Sequence, residues 1–373
     1  MEFNRRKQTG YCRVKYFRLR ALLLMALLLA IMMPVSAFAQ PDYSVKAPLA
    51  SRSLLLDGMT ANGDVVVVGE RGHILISSDG GTIWEQMDVP SRTTLTGVYF
   101  HDRNLGFAAS YYQEILRTKD GGKTWKIVHA KTDDERPLLD ICFKNANTGF
   151  AIGAYGLFLI TEDGGDTWRS DKLNITKSFT EEDGISDEEA ALMGAFGLDD
   201  EEAADFKDDE EAYVEEVCLN KITQSATGRI YIAAEMGTIY RSSDNGQSWV
   251  SLASPYHGSF LGLLALDGDS LLFFGLRGHL FRTDDGGDTW QEIETGTTST
   301  LMGGTRLADG RIIITGLGGT ILVSRNGGNN FTSYIHPSRE DIMTSVSPDG
   351  KTVLLIGQSG VKKLQIDGLS INH

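Results

Sequence analysis

The stretch "DGGDTW" at residues 163–168 recurs unchanged at residues 285–290. Looser copies stand at "DGGTIW" (79–84), "DGGKTW" (120–125) and "DNGQSW" (244–249). A sixth copy, "NGGNNF", begins at Asn326 and has Phe331 where the others have tryptophan. Successive copies are spaced by 41, 43, 81, 41 and 41 positions. A fixed period of roughly 20–50 residues marks a chain built from repeated copies of one supersecondary unit.

Short apolar runs flank each turn. In the second repeat they read "LTGVYF", "LGFAAS" and "EILRT" before it and "TWKIV" after it; the third reads "LLDICF", "TGFAIGA", "LFLIT" and "TWRS". Four short strands per period, joined by Gly, Asn and Asp turns, describe one blade of a β-propeller. The anomalous spacing of 81 has a compositional cause. Residues 181–216 hold 17 acids against the single Lys207, and removing 171–213 leaves a spacing of 38. The stretch is read as an insertion between blades 3 and 4, with no strand from Trp168 to Val214. The remainder fits seven blades, the last being "DIMTSV", "KTVLLIG" and "GVKKLQI" with no turn motif after it. An unfinished blade leaves an open sheet edge, which folds cover or close. Residues 42–50, "DYSVKAPLA", are expected to supply its outer strand. The fold expected is therefore all-β: a seven-bladed propeller of four antiparallel strands per blade, closed by an N-terminal strand.

The ends have their own logic. A basic stretch, the apolar run "ALLLMALLLAIMM" and the triplet Ala37-Phe38-Ala39 follow the order of a secretory signal cut before Gln40. The expected domains are thus a signal at 1–39 and a propeller at 40–373, with a periplasmic or otherwise exported location. Thirteen apolar residues are short for a bilayer span of about 20. Removing residues 1–39 takes away seven basic side chains and one acid, moving the formal charge from -15 to -21. Such a chain repels nucleic acid. Cys142 and Cys218 remain, too few for a disulfide framework. They are read as occupying the same position in adjacent inner strands and as buried free thiols.

The turn itself is read as a fastener. Asp79, Asp120, Asp163, Asp244 and Asp285 accept hydrogen bonds from their own loops. Trp84, Trp125, Trp168, Trp249 and Trp290 open the outermost strands and cover the seam with a neighbouring blade. These turns are the Asp boxes of the bacterial neuraminidase repeat, and the chain resembles that propeller superfamily over nearly all of its mature length. It resembles more closely the photosystem II assembly and stability factors, on blades such as "VVVVGERGHILISSDGGTIW" with a Gly-x-x-Gly ahead of the box. The pairing recurs at Gly153/Gly156, Gly275/Gly278, Gly316/Gly319 and Gly357/Gly360. The resemblance implies a non-enzymatic exported scaffold that binds a protein partner and attends a membrane protein complex, with an Arg-rich patch docking a membrane subunit. The acidic insertion departs from the plain family pattern.

Strand alternation puts the Asp boxes on one face of the ring. The turns between second and third strands lie on the other, with the links between blades. That second face carries Glu70, Arg71, Tyr111, Tyr112, Tyr155, Glu235, Arg277 and Gln358, with Arg92, Arg136, Tyr256, His257, His336 and Arg339 from the links. Arg71 and Arg277 occupy matching turns and are the first candidates for docking a carboxylate, with Tyr111, Tyr155 and Glu235 beside them. No catalytic residue, metal or cofactor is expected, and a monomer is. The alternative is a glycoside hydrolase of the sialidase type, using Tyr155 or Tyr111 with Glu235; the chain lacks the Arg-Ile-Pro signature of such enzymes. The insertion is expected on the same face, where Leu192, Met193, Phe196 and Leu198 could touch a partner.

Overall fold

The computed structural model describes residues 42–131, 133–176 and 217–365. Their strands form seven sheets that follow one another in chain order, which is a seven-bladed β-propeller. The inner strands are Leu55–Ala61, Leu95–Phe100, Leu138–Phe143, Leu219–Gln224, Phe260–Ala265, Leu301–Arg306 and Ile342–Val346. Second strands such as Asp64–Gly69, Leu271–Gly275 and Ile312–Gly316 are buried almost throughout. Being covered on both faces by flanking blades, they read as unbroken apolar runs rather than as an alternation. Among the described residues no helix is long and apolar enough to cross a membrane.

The core lies in the seams between blades, and the Asp boxes build it. Asp163 Oδ1 accepts from Thr161 Oγ1 (2.8 Å) and Thr167 N (2.9 Å), and Oδ2 accepts from Thr167 Oγ1 (2.6 Å). The Thr161 hydroxyl in turn accepts from Gly165 N at 2.9 Å. The loop is closed by one side chain, so the following tryptophan leaves it at a fixed angle. Phe107 and Phe143 stack at 4.1 Å across the seam of blades 2 and 3, with Trp168 edge-on to both. Each such aromatic buries about 150–250 Å², on the order of several kcal/mol at about 25 cal/mol per Å². The degenerate sixth box works the same way: Asn326 Oδ1 takes the Ser324 hydroxyl (3.0 Å) and Asn330 N (3.1 Å). The boxes also tie blades together. Arg117 reaches the Gly164 carbonyl and Asp166 of the next blade, and Arg241 reaches Gly286 and Asp288.

Hydrogen bonds to the charged form hold these carboxylates below the ordinary range, Asp163 at about 2, chiefly through the hydroxyl and N–H of Thr167. A depressed folded pKa means stability that is full above the unfolded value near 3.9 and lost as pH falls toward 2. Asp163→Asn, which copies Asn326, should melt close to the parent at pH 7 and lose less on acidification to pH 3 by circular dichroism. Equal acid sensitivity of the two proteins would remove the box carboxylate from the acid response.

Three expectations need correction. Residues 42–50 form no strand on blade 7, whose sheet has three strands among the described residues. They run along the outer edge of blade 1 instead. There the Gln86 side chain accepts from Ala47 N (2.8 Å) and donates to the Val45 carbonyl (3.0 Å), while Ser44 N donates to Val89 O (2.8 Å). Pro48 has no N–H to give a ladder, and one glutamine amide supplies what a strand partner would have. The ring closes by packing: Leu55, Val65, Val67 and Leu75 of blade 1 meet Val346, Leu354 and Ile356 of blade 7. Lys363 of blade 7 donates to Thr82 Oγ1 in the first Asp box at 2.6 Å.

The insertion also begins later than read. Blade 3 keeps an outer strand to Asp171, and Ile175–Thr176 adds a fifth strand to blade 4, parallel to Trp249–Ser251. The chain therefore leaves at the outer edge of blade 4 and returns at Val217, whose carbonyl accepts from Gly156 N at 2.9 Å. Residues Leu192, Met193, Phe196 and Leu198 lie outside the described residues. Both cysteines are free, but only Cys142 is buried while Cys218 is partly exposed, and they are not equivalent. Cys142 is the fifth residue of its inner strand and Cys218 precedes the next one. That offset of five positions, at about 3.3 Å each, exceeds the roughly 7 Å a disulfide allows between Cα atoms.

Candidate functional site

The turns between second and third strands do share a face with the links. In blade 1, Gly69-Glu70-Arg71-Gly72 is clamped on both sides: Glu70 N donates to Leu54 O (3.0 Å) and Gly72 N to Thr93 O (2.8 Å). A Cβ on Gly69 would overlap the Leu54 carbonyl before its own blade, and one on Gly72 the Ser91 carbonyl before the next. Gly-x-x-Gly thus fits a turn squeezed between two interblade links, and Gly360 meets Ser51 the same way at ring closure.

In five of the seven turns the third residue is left-handed. Arg71 has φ 56°, Tyr155 52°, Met236 56° and Arg277 57°; in blade 6 the position is Gly318, at 65°. A non-glycine side chain pays roughly 1–2 kcal/mol for this backbone, and it projects outward. Tyr155 is 60% exposed and Met236 54%, and Arg71 and Arg277 are exposed without a hydrogen-bond or ion-pair partner among the described residues. Tyr111 and the neighbouring Tyr112 stand edge-to-face at 5.5 Å, both nearly half exposed. Glu235 is partly buried, its Oε2 accepting from Cys218 N at 3.2 Å.

Arg71 lies on blade 1 and Arg277 on blade 5, three steps around the ring, so they present two separate cations rather than one clamp. Of the link cations on this face, Arg52 and Arg339 are also exposed without a side-chain partner among the described residues, whereas Arg92 and Arg136 are engaged. Arg92 pairs with Asp42 (3.0 Å), and Arg136 grips Asp134 (2.7 Å), whose carboxyl it holds well below the usual range. Tyr256 lies against His279 at 4.4 Å, and His336 Nδ1 meets Ser338 Oγ at 2.9 Å. No hydrogen bond joins Tyr155 or Tyr111 to Glu235 among the described residues. Nor does any group of three His, Cys, Asp or Glu side chains there come close enough to hold a metal ion.

A charged cluster that the sequence reading missed lies in the central channel, which encloses about 680 Å³. Every inner strand carries a β-bulge at its second or third residue, a device that re-aims a side chain. The third residues in blade order are Asp57, Gly97, Asp140, Lys221, Gly262, Gly303 and Thr344. Asp57 accepts from Val98 N (3.0 Å) and Asp140 from Ile222 N (2.9 Å), each bridging to an adjacent inner strand that no ladder joins. Lys221 Nζ pairs with Asp140 at 3.0 Å and lies 4.0 Å from Asp57. Burial works against the Lys221 charge, but the two carboxylates outweigh it and raise its pKa; burial pushes Asp140 up, and Asp57 adds to it against the pull of Lys221. Aligning the inner strands on their first leucine would have placed all three residues in one column.

No family model and no curated protein matches the chain. Solved structures do. The chain is similar to YCF48 from Cyanidioschyzon merolae, with 14% identity and TM-score 0.60 over 88% of this chain and 99% of that one. A structure described as YCF48 bound to D1 peptide gives the same identity and TM-score over 88% and 95%. A streptogramin B lyase structure matches at 11% identity and TM-score 0.63 over 86% and 95%. At these identities the likeness extends to the seven-bladed fold and no further.

Proposed function

We propose that the protein is an exported, non-enzymatic propeller scaffold whose channel face binds a segment of a partner protein, in the service of a membrane protein complex. The observation that carries this reading is the set of large side chains held in left-handed turns on that face. Folding alone favours glycine there, as Gly318 illustrates. Four blades instead keep Arg71, Tyr155, Met236 or Arg277 exposed at the cost of strain, which is what a recognition surface requires. That a YCF48 structure holds a D1 peptide supports a peptide-sized ligand for this fold.

The test is capture from detergent-solubilised envelopes. The Arg71→Glu/Arg277→Glu protein should melt like the parent, both side chains being exposed and unpaired, while recovering its partner at least about tenfold less well, the loss expected of two hot-spot cations. Undiminished capture would remove the two arginines from the docking surface.

A further inference from the structure

The channel face is not uniform around the ring. Going from blade 2 to blade 4, its turns present Tyr111 and Tyr112, then Tyr155, then Met236, all exposed. The ground around this arc is acidic. Asp133 and Glu135, in the link from blade 2 to blade 3, are exposed and have no ion-pair partner among the described residues. The two cations of that link, Lys131 and Arg136, are both taken up by Asp134, at 3.4 and 2.7 Å. Glu235 adjoins Met236 in the turn of blade 4. The unpaired Arg71 and Arg277 belong to blades 1 and 5, and the exposed Arg52 and Arg339 to the links before blades 1 and 7, all outside the arc.

We infer that the arc over blades 2–4 is a docking surface for a basic, aliphatic segment of a partner protein, lysine or arginine side chains lying over the tyrosine rings and their stems against Met236. This deepens the proposed function and rests on it: the arginines take one part of the partner and the arc another of opposite charge. Tyrosine faces attract cations through the ring quadrupole. They also offer large contact area for little lost side-chain freedom, and the Met236 thioether adapts to an aliphatic stem. Charge selects the occupant, because a formal charge of -15 on the chain steers basic segments inward and repels acidic ones. The arginines are then a local exception that fixes where the acidic part of the partner rests.

Two fluorescein-labelled decapeptides test this by anisotropy, one alternating Lys and Leu, the other Glu and Leu. The arc variant is Tyr111→Ala/Tyr155→Gly/Met236→Gly, whose two glycines relieve left-handed backbone and leave net charge unchanged. It should bind the Lys-Leu peptide about tenfold more weakly and the Glu-Leu peptide as the parent does. Arg71→Gln/Arg277→Gln should show the opposite pattern. If parent and arc variant hold the Lys-Leu peptide equally, bulk charge is doing the binding and the inference falls, whatever the arginines do. If the arginine variant alone behaves as stated, the proposed function stands without the arc; if the arc variant alone does, the arginine seat falls and the arc remains. A parent that ignores the Lys-Leu peptide but sediments as a dimer, with the arc variant monomeric, would make a second copy of the chain the occupant and overturn the inference.

Discussion

Trp249→Ala is expected to lower the unfolding free energy by about 3–5 kcal/mol, the range for truncating a fully buried tryptophan. Trp249 is completely inaccessible. It stands edge-on to Phe150 at 6.2 Å and Phe158 at 6.0 Å, so it fills the seam between blades 3 and 4 from the blade 4 side. The three rings belong to one cluster with Ile152, Ile160, Ile222 and Ile232, so removing the indole leaves a cavity in the seam. Trp290→Ala is the comparison. Trp290 occupies the same place in the next box but is only partly buried, its Nε1 donating to Ala253 O at 2.9 Å. It should cost clearly less. Urea unfolding followed by circular dichroism measures both, and a Trp249→Ala loss under about 1 kcal/mol, a single-methylene scale, would show that the seams do not carry the stability of the ring.

Lys221→Met is expected to cost about 2–3 kcal/mol at pH 7, below the roughly 3–5 kcal/mol for breaking a fully buried pair, because the lysine is 34% exposed to the channel. The variant leaves Asp140, 3% exposed, without its cation and still beside Asp57. The pH dependence follows in sign. Asp140 already has its folded pKa raised by burial, and losing the ammonium raises it further. A carboxyl of this kind destabilises most when ionised, so the deficit should shrink as pH falls from 7 to 5 and the group takes up a proton. Adding Asp140→Asn, which keeps an acceptor for Ile222 N, should restore most of the loss at pH 7. A single variant as stable as the parent at pH 7 would mean that channel water already screens the pair.

Both experiments probe contacts between blades, and there the sequence was legible to very different degrees. The Asp boxes could be read because each is a closed local system: hydroxyl, carboxylate, glycine and tryptophan lie within eight residues, and their spacing counts the blades. The Gly-x-x-Gly turns could be located by the same repetition, together with the exposure of Arg71, Tyr155 and Arg277. Their left-handed third residue was not legible, since arginine, tyrosine and methionine there contradict local preference and are held by the links on either side. The Asp57, Asp140 and Lys221 cluster could not be read either. Its members come from blades 1, 3 and 4, and they meet because Gly97 of blade 2 leaves room beside Asp140.

The sequence by itself determined the repeat, the blade number, the strand order within each blade and the face on which each turn emerges. All of these follow from hydrogen bonds and apolar periodicity within about forty residues of chain. The tertiary structure decided what lies between units. It hung residues 42–50 on Gln86 of blade 1 and packed Ala47 and Ala50 into the seam with blade 7 without adding a strand there, because Gln86 offers an amide donor and acceptor where Pro48 could not complete a ladder. It also separated Cys142 from Cys218 and gathered the channel charges. Contacts around a closed ring depend on which distant segment reaches an open edge first, and no local pattern encodes that competition.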